Sequence, residues 1–231
     1  MVRTLEGRSS RMSETTRIPL FPLSVVLFPQ SQIPLQIFEE RYKKLISECV
    51  ASGTTFGINF IEENKLHSIG CTARVAEVTK RYPDGKMDIV TEGVRRYQIV
   101  SVDDPGTNEE LLHANVTYLE DMPEDRDVTL ANETIKLFND LCEIAYRGTI
   151  DTLDTAIWSS IEKYPSFIIA QKSGLEPDQR QALLGITSEN ERLSIINNFL
   201  SQLLPRVREL EKINDLVRND GYIVTWNRKK D

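Results

Sequence analysis

Histidine and cysteine are scarce in this sequence, which contains His67 and His113 and three cysteines, Cys49, Cys71 and Cys142. Imidazole and thiolate groups are common metal ligands and general bases, so their scarcity leaves little material for either chemistry. The cysteines are odd in number, far apart and set among apolar neighbours, which is typical of small core residues in a reducing compartment. We therefore expect a cytoplasmic protein without a metal site.

Long apolar runs are also lacking, and none approaches the roughly 20 residues needed to span a bilayer. Residues 1–17 are rich in Arg, Ser and Thr and have no apolar core of the kind that a secretory signal carries. We expect no membrane association and a disordered leader over residues 1–17, and Met12 could equally begin the protein.

Catalytic motifs are missing from the chain. It has no Gly-x-x-x-x-Gly-Lys-Ser/Thr phosphate loop, no Gly-x-Ser-x-Gly elbow and no His-Glu-x-x-His pair. His67 and Cys71 could share a strand face, but His67 lies on a predicted loop edge and Cys71 on an apolar face, which argues against a nucleophile–base pair. The sequence therefore argues against an enzyme and predicts no cofactor. An enzyme for a small ligand, with a cryptic site, stays open as an alternative.

Acidic residues outnumber basic ones, 35 to 28, and the net charge is −7. This balance argues against indiscriminate attraction to nucleic acid or to anionic membranes. The length of 231 residues, with 40% hydrophobic residues, suits two domains with separate cores. We place their boundary in the acidic segment 120–127, where the patterning changes from strands to helices.

The most constrained segment runs from Ile18 to Tyr42 and contains four prolines: Pro19, Pro22, Pro29 and Pro34. Each proline fixes its own φ and keeps the preceding residue out of the α region, so the segment must be extended as far as Phe38. Apolar residues at helical spacing then predict a helix from Phe38, closed by Gly53.

Residues 18–120 otherwise alternate between apolar and polar, which predicts short strands with bulges at Val78 and Gly93 and a hairpin turn over 82–86. A bent sheet or partly closed barrel fits this pattern. Residues 121–218 carry helical periodicity and predict an α-helical bundle. Pro205 is expected to kink or split the last helix, and residues 219–231 to form a flexible tail. The predicted fold class is α+β.

Several motifs resemble the amino-terminal, substrate-binding domain family of Lon ATP-dependent proteases. They are Pro-Leu-Phe-Pro-Leu at 19–23, Val-Leu-Phe-Pro at 26–29, Ile-Phe-Glu-Glu-Arg-Tyr at 37–42, Ile-Gly-Cys-Thr-Ala-Arg-Val at 69–75, Glu-Gly-Val-Arg-Arg-Tyr-Gln-Ile at 92–99, and the helical matches within 166–193. The resemblance implies a PUA-like pseudobarrel over 18–120 followed by the helical bundle. It also implies a stand-alone recognition module, without the ATPase and protease domains of the family.

The resemblance favours a non-catalytic module that binds unfolded or exposed polypeptide segments or a protein partner, linked to proteolysis or quality control. Aromatic and guanidinium groups are enriched at recognition surfaces. On that ground the candidate binding residues are Arg41, Tyr42, Tyr82, Arg95, Arg96, Tyr97 and Trp158, the last at the seam between the domains. The alternative is RNA binding by a PUA-like fold through a basic face of Lys80, Arg81, Lys86, Arg95 and Arg96. The oligomeric state stays open.

Overall fold

The structure, a computed structural model, describes residues 15–103, 111–145 and 164–226, with side chains as far as Val217. These residues fall into two compact units, the first ending at Leu119 and the second beginning at Glu120. The first unit consists of strands and a single described helix, and the second unit consists of helices. The predicted α+β class is therefore confirmed. No helix in the described part of the chain has the length and apolarity needed to cross a membrane.

The first unit contains one helix and six strands in its described residues. They are β1 (Thr16–Leu23), β2 (Gln32–Ile37), α1 (Glu40–Ser52), β3 (Phe56–Glu62), β4 (Lys65–Arg81), β5 (Met87–Val102) and β6 (His113–Tyr118).

The strand pairings of this unit form a closed circuit. β5 pairs with β4, β4 with β3, β3 with β1, β1 with β6, and β6 returns to the second half of β5. The first strand serves two neighbours, since Thr16 to Pro19 run antiparallel to β6 and Leu20 to Leu23 run parallel to β3. β2 is attached outside the circuit, to the first half of β5. The sheet is therefore a pseudobarrel with one added edge strand and not a regular barrel.

The proline-rich segment forms β1, β2 and the crossing between them, as its prolines predict. The crossing passes directly over Gly93: the Gly93 N–H donates to the Ser31 carbonyl (3.0 Å), and the Gln30 N–H donates to the Gly93 carbonyl (2.8 Å). A Cβ at Gly93 would collide with the carbonyl group of Phe28. Gly93 is thus the position where two backbones meet, which is a known use of glycine inside a strand.

Helix α1 begins at Glu40, two residues after the predicted start, because Glu39 still has an extended backbone. Tyr42, Leu45, Ile46 and Cys49 face the core, and Gly53 closes the helix with φ +71°, as expected. The apolar stripe predicted from Phe38 to Val50 was wrong at both ends. Phe38 precedes the helix and is 58% exposed, and Val50 is 42% exposed.

The alternation predicted for the strands is confirmed. Phe56, Ile58 and Phe60 are buried on one face of β3, and Met87, Ile89 and Thr91 on one face of β5. The β4–β5 pairing slips between Val75 and Glu77, so that Val78 packs against the core. Gly85, with φ +81°, closes the hairpin turn.

The second unit contains α2 (Val128–Ala145), α3 (Pro165–Lys172), α4 (Pro177–Gly185) and α5 (Glu189–Trp226) in its described residues. The Ser188 hydroxyl accepts a hydrogen bond from the Glu191 N–H (3.0 Å) and so caps the start of α5. Arg192, in the first turn of α5, is completely buried between Asp121, Glu189 and Ser166.

Two boundaries differ from the sequence expectation. β1 begins at Thr16, inside the expected leader, because Thr16 and Arg17 pair with Val116 and Asn115 of β6. Helix α5 continues through Pro205 without a break and reaches Trp226, inside the segment expected as a tail. The remainder of the expected leader and tail, and residues 146–163 of the predicted helical bundle, lie outside the described residues.

Candidate functional site

The outer edge of β2 is a candidate site for an extended peptide. β2 pairs only with β5 in the described part of the chain, and its register joins Gln32 to Glu92 and Ile37 to Met87. Because the Gly93 N–H donates to the Ser31 carbonyl, the antiparallel alternation turns the backbone groups of Ile33, Leu35 and Ile37 toward β5. The backbone groups of the intervening residues then point outward.

The outward-facing residues of β2 are Gln32, Pro34 and Gln36, and their side chains are exposed. They offer three carbonyl acceptors but two N–H donors, since proline has none. A proline on an edge strand limits indiscriminate pairing with other sheets. The edge can therefore accept a short extended segment, while Pro34 interrupts a longer ladder.

An exposed aromatic ring lies where this edge ends. The register pairs Ile37 with Met87, the first residue of β5, so Phe38 lies next to the β4–β5 hairpin turn. The Phe38 side chain is 58% exposed. A large ring at the end of an open strand edge is a natural contact for an apolar side chain of a bound peptide.

Polar contacts hold the hairpin turn against β2 and α1. The Asp88 carboxylate accepts hydrogen bonds from the Tyr82 hydroxyl (2.7 Å) and from Nε2 of Gln36 (3.2 Å). Lys43 of α1 donates from Nζ to the Asp84 carbonyl (3.0 Å) and pairs with Glu40 (2.7 Å). The end of β2, the turn and the start of α1 therefore form one preorganised surface.

The ionisation of this surface is set by local hydrogen bonds and burial. Hydrogen bonds from Lys86 lower the pKa of Asp84, and the Asp84 carboxylate in turn raises the pKa of Lys86. Burial raises the pKa of Tyr42, whose ring stacks on Phe21 with 3.9 Å between ring centroids. At neutral pH the turn therefore carries an Asp84–Lys86 ion pair with no net charge. Tyr42 is uncharged and lies in the core.

The sequence-predicted binding residues divide into two groups. Tyr82 is joined to the β2 edge through the Asp88 carboxylate, which also accepts from Gln36. Arg41 and Tyr42 lie in the first turn of α1, where Arg41 pairs with Glu39 (2.8 Å) and lies over the Tyr42 ring at 4.7 Å from its centroid. Tyr42 is buried with its ring stacked on Phe21, so it belongs to the core and not to an exposed binding surface. Trp158 lies outside the described residues.

The second group, on the far half of β5, does not form an exposed cluster. Tyr97 is fully buried and its hydroxyl donates to the side-chain oxygen of Asn59, while Arg96 is only 3% exposed. Arg95 lies over the Tyr118 ring, 4.0 Å from its centroid. The β4–β5 register shifts between Cys71 and Ala73, which places an extra residue of β5 between Gly93 and Arg96. Arg96 and Tyr97 follow this bulge in regular pairing with Cys71 and Gly70, and both are buried.

The burial of Arg96 also counts against the basic RNA-binding face that the sequence offered as an alternative. Of its five residues, Arg96 is buried, Lys86 is paired with Asp84 (2.9 Å), and Lys80 lies over the Tyr82 ring at 4.6 Å. The set does not present one continuous positive surface, which phosphate binding requires.

Sequence reasoning missed the edge residues Gln36 and Phe38. Phe38 had been assigned to the apolar stripe of α1, and Gln36 carries no chemical signal of its own. The available signal was Pro34, since a proline inside a strand pattern marks an edge strand. Phe38 also precedes Glu39 and Glu40, and acidic residues favour the amino-terminal end of a helix, so these two residues would have placed the ring outside α1.

The described residues offer little for metal or acid–base chemistry. No group of three or more His, Cys, Asp or Glu side chains in them is arranged to hold a metal ion. A cavity in the second unit is lined by Met122, Pro123, Glu124, Arg126, Val128, Tyr164 and Glu189. Its two carboxylates are already engaged: Glu124 accepts from Ser188 (3.0 Å) and Glu189 pairs with Arg192 (2.7 Å).

Comparison with known families shows which family this chain belongs to. Residues 17–202 match the family described as the ATP-dependent protease La (LON) substrate-binding domain. The chain belongs to this family. The resemblance drawn from the proline-rich segment and the later motifs is thereby confirmed.

Relatives with this domain include whole proteases. The chain is 24% identical to a Lon protease of Solibacter usitatus over 216 residues, which cover 89% of this chain and 26% of the relative. It is 25% identical to the Lon protease of Escherichia coli K12 over 223 residues, covering 90% and 27%. The chain thus spans about a quarter of the length of the curated relatives it matches.

Solved structures share the fold. A Lon N-terminal domain protein from Xanthomonas campestris superposes with a TM-score of 0.61 at 23% identity, over 78% of this chain and 96% of that one. The N-terminal domain of the Mycobacterium avium complex Lon protease gives 0.61 at 20% identity, over 80% and 98%. At this level of identity the likeness supports the pseudobarrel and helical architecture alone.

Proposed function

We propose that this protein is a non-catalytic recognition module that binds exposed, extended polypeptide segments. The observation that carries the proposal is the match of residues 17–202 to a substrate-binding domain family. Catalytic domains are not part of what this match covers. The scarcity of histidine and the engaged carboxylates of the second unit are in keeping with a binding role.

The β2 edge site is where we place the bound segment. A peptide that pairs with Gln32, Pro34 and Gln36 would extend the sheet by one strand, and one of its apolar side chains would rest on Phe38. Backbone pairing reads no sequence, so such a site accepts many peptides and selects them by extended conformation and apolar content. Few anchoring contacts and the ordering of a flexible chain make the binding weak.

The cellular role that fits this chemistry is delivery of unfolded chains to proteolysis or quality control. Three free, buried thiols, Cys49, Cys71 and Cys142, support a location in the reducing cytoplasm. The oligomeric state does not follow from the recognition function.

Fluorescence polarisation with a reduced, alkylated and fluorescein-labelled model protein tests the proposal. We expect saturable binding with a dissociation constant on the order of 10 μM, equivalent to about 7 kcal/mol. The same model protein in its native, disulfide-bonded form is the matched control and should not compete. Absence of binding up to several hundred micromolar, or equal competition by the native form, would contradict the proposal.

A further inference from the structure

The cavity in the second unit lies beside the start of α2, and we call it the α2 cleft. Its volume is about 420 Å³, which falls in the range of roughly 300–1,000 Å³ that ligand sites occupy. Met122, Val128 and Tyr164 form the apolar part of its wall. Met122 is 53% exposed and Val128 57%, although both side chains are large and apolar. Exposed apolar groups around a cleft are typical of a surface that receives a side chain of a partner.

Hydrogen bonds to the start of α5 hold this wall in place. The Met122 N–H donates to the Thr187 carbonyl (2.9 Å). The Asn190 side chain donates from Nδ2 to the Asp125 carbonyl (2.9 Å), and its Oδ1 accepts from the Asp127 N–H (2.9 Å). A wall that is ordered before binding lowers the entropic cost of binding. The α2 cleft is therefore preorganised.

The segment that forms this wall, residues 120–127, is strongly acidic. Asp121 is paired with Arg192 inside the unit. The other charged residues of the segment are four carboxylates and one guanidinium, with a formal charge of −3: Glu120, Glu124, Asp125, Asp127 and Arg126. The sequence alone gave this segment only the role of a linker between the domains. In the structure it becomes one side of a cleft.

Glu124 lines the α2 cleft and is ionised at neutral pH. Its carboxylate accepts hydrogen bonds from the Asn190 N–H (3.1 Å) and from the Ser188 hydroxyl (3.0 Å). The bond from the Asn190 N–H lowers the pKa of Glu124. Both donors are uncharged, so they position the carboxylate without cancelling its charge. The wall therefore presents a fixed negative charge next to its apolar side chains.

We propose that the α2 cleft binds a basic segment of a protein partner, with an apolar side chain of that segment in the cleft and its lysine or arginine residues beside residues 120–127. Charge complementarity of this kind selects partners and speeds their association. The aliphatic stems of lysine and arginine also pack on apolar walls. Nucleic acids and anionic membranes are excluded as occupants, because the acidic segment repels both. The site differs from the β2 edge site, which selects by backbone pairing and not by charge.

Fluorescence polarisation of the full chain with short labelled peptides tests the proposal. The probe is fluorescein-labelled Lys-Arg-Phe-Leu-Arg-Lys, for which we expect a dissociation constant on the order of 100 μM at low salt. Binding should weaken about tenfold at about 0.3 M salt, because salt screens exposed charges. Lys-Arg-Ser-Ser-Arg-Lys lacks the apolar residues and Glu-Asp-Phe-Leu-Asp-Glu reverses the charges, so each should bind at least about tenfold more weakly. Equal binding of either control peptide would overturn the proposal.

A charge reversal in the acidic segment provides the first pair of variants. Asp125→Lys should weaken binding of the probe by about tenfold, because it places a cation beside the cleft. Asp125 is exposed and bonds to Asn190 through its backbone carbonyl, so the variant keeps the wall. Glu143→Lys makes the same charge change at an exposed position about 22 Å along α2 from Val128, and it should stay within about twofold. Equal effects of the two variants would refute a local site.

Removal of the apolar wall provides the second pair. Met122→Ser combined with Val128→Ser should weaken binding of the probe by about tenfold, while Val50→Ser, at an exposed position of α1, should stay within about twofold. Circular dichroism establishes that the variants fold. Gln36→Pro alters the β2 edge site and should leave binding of the probe unchanged. Loss of binding in Gln36→Pro but not in Asp125→Lys would place the probe at the β2 edge and overturn the proposal, while the proposed recognition function would still stand.

Discussion

Asp121 and Arg192 form a two-pronged ion pair inside the second unit. Nη1 of Arg192 lies 2.7 Å from Oδ1 of Asp121 and Nη2 lies 3.1 Å from Oδ2, with the arginine side chain fully buried. Arg192 also bonds to Glu189 (2.7 Å) and to the Ser166 hydroxyl (2.9 Å), and it lies over the Phe167 ring at 4.1 Å. One side chain thus joins the segment before α2, the start of α3 and the first turn of α5.

Replacing Arg192 by methionine should destabilise the second unit strongly. Methionine keeps the volume and the ring contact but leaves Asp121 and Glu189 buried without their cation, so we expect a loss of about 3–5 kcal/mol in the free energy of unfolding. Urea denaturation measures it. The control is Arg208→Met, because Arg208 pairs with Asp140 with half of its side chain exposed, and this change should cost about 1 kcal/mol or less. Similar losses in both variants would contradict the assignment.

Replacing Gly93 by valine should prevent the crossing between β1 and β2 from packing. The Cβ would meet the Phe28 carbonyl group, and backbone atoms cannot rotate away as a side chain can. We expect a loss of about 3 kcal/mol or more by thermal denaturation. Glu77→Ala, an exposed change on β4, should stay within about 0.5 kcal/mol of the wild type. A Gly93→Val protein of wild-type stability would show that the crossing does not form.

Tyr97→Phe should reduce stability without changing peptide affinity. The change removes the hydroxyl that bonds to the fully buried Asn59, which leaves a polar group unsatisfied and should cost about 1–3 kcal/mol. Tyr82→Phe, at a half-buried hydroxyl bonded to Asp88, is the matched control and should cost less. Weaker peptide binding by Tyr97→Phe, at a temperature where the protein is folded, would place the site on the far half of β5.

Gln36→Pro should weaken peptide binding while β2 stays paired with β5. The substitution deletes an outward N–H, and the neighbouring Pro34 shows that this face of the strand tolerates the ring. Loss of one backbone hydrogen bond should weaken binding by about fivefold to tenfold in the polarisation assay. Gln36→Ala retains the N–H and should stay within about twofold. If Gln36→Ala weakened binding as much as Gln36→Pro did, a side-chain contact and not the strand edge would be responsible.

Stability should fall as the pH rises above about 9. Burial raises the pKa of the Cys71 thiol from 9.0 to about 12 in the folded protein. Between these values the folded chain keeps a proton that the unfolded chain releases, so rising pH favours unfolding. Cys71→Ala should be less stable at pH 7 but should show a shallower decline of the urea midpoint between pH 9 and 11. An unchanged slope would exclude Cys71 as the titrating group and would leave other groups whose pKa burial raises, such as Tyr42 and Tyr97.

Local patterns predicted much of this fold because their causes are local. The prolines fix extended backbone, the alternation of Phe56, Ile58 and Phe60 defines a strand face, and Ser188 begins a helix through its own hydroxyl. Pro205 was overestimated as a helix breaker, because the rest of α5 continues through it.

The burial of Arg96 and Tyr97, and that of Arg192, could not be predicted in the same way. The first follows a bulge between Gly93 and Arg96 that shifts the alternation along β5, and the second depends on an ion pair with Asp121, far away in sequence. To predict the β2 edge site, one would have needed the strand order, which places β2 outside the circuit. Binding residues chosen by type alone, such as Tyr97, were therefore drawn partly from the core.

The double pairing of β1 also bears on how the chain folds during synthesis. Thr16 leaves the ribosome early, but its partner Val116 emerges only when the first unit is nearly complete. The circuit of strands therefore cannot close until β6 is available, and such long-range pairing is slow because a large loop must be closed. Until then the apolar faces of β1 and β3 stay open to other chains. During synthesis this module is therefore itself an incompletely folded chain with exposed apolar strands, like the unfolded polypeptides that we propose it binds.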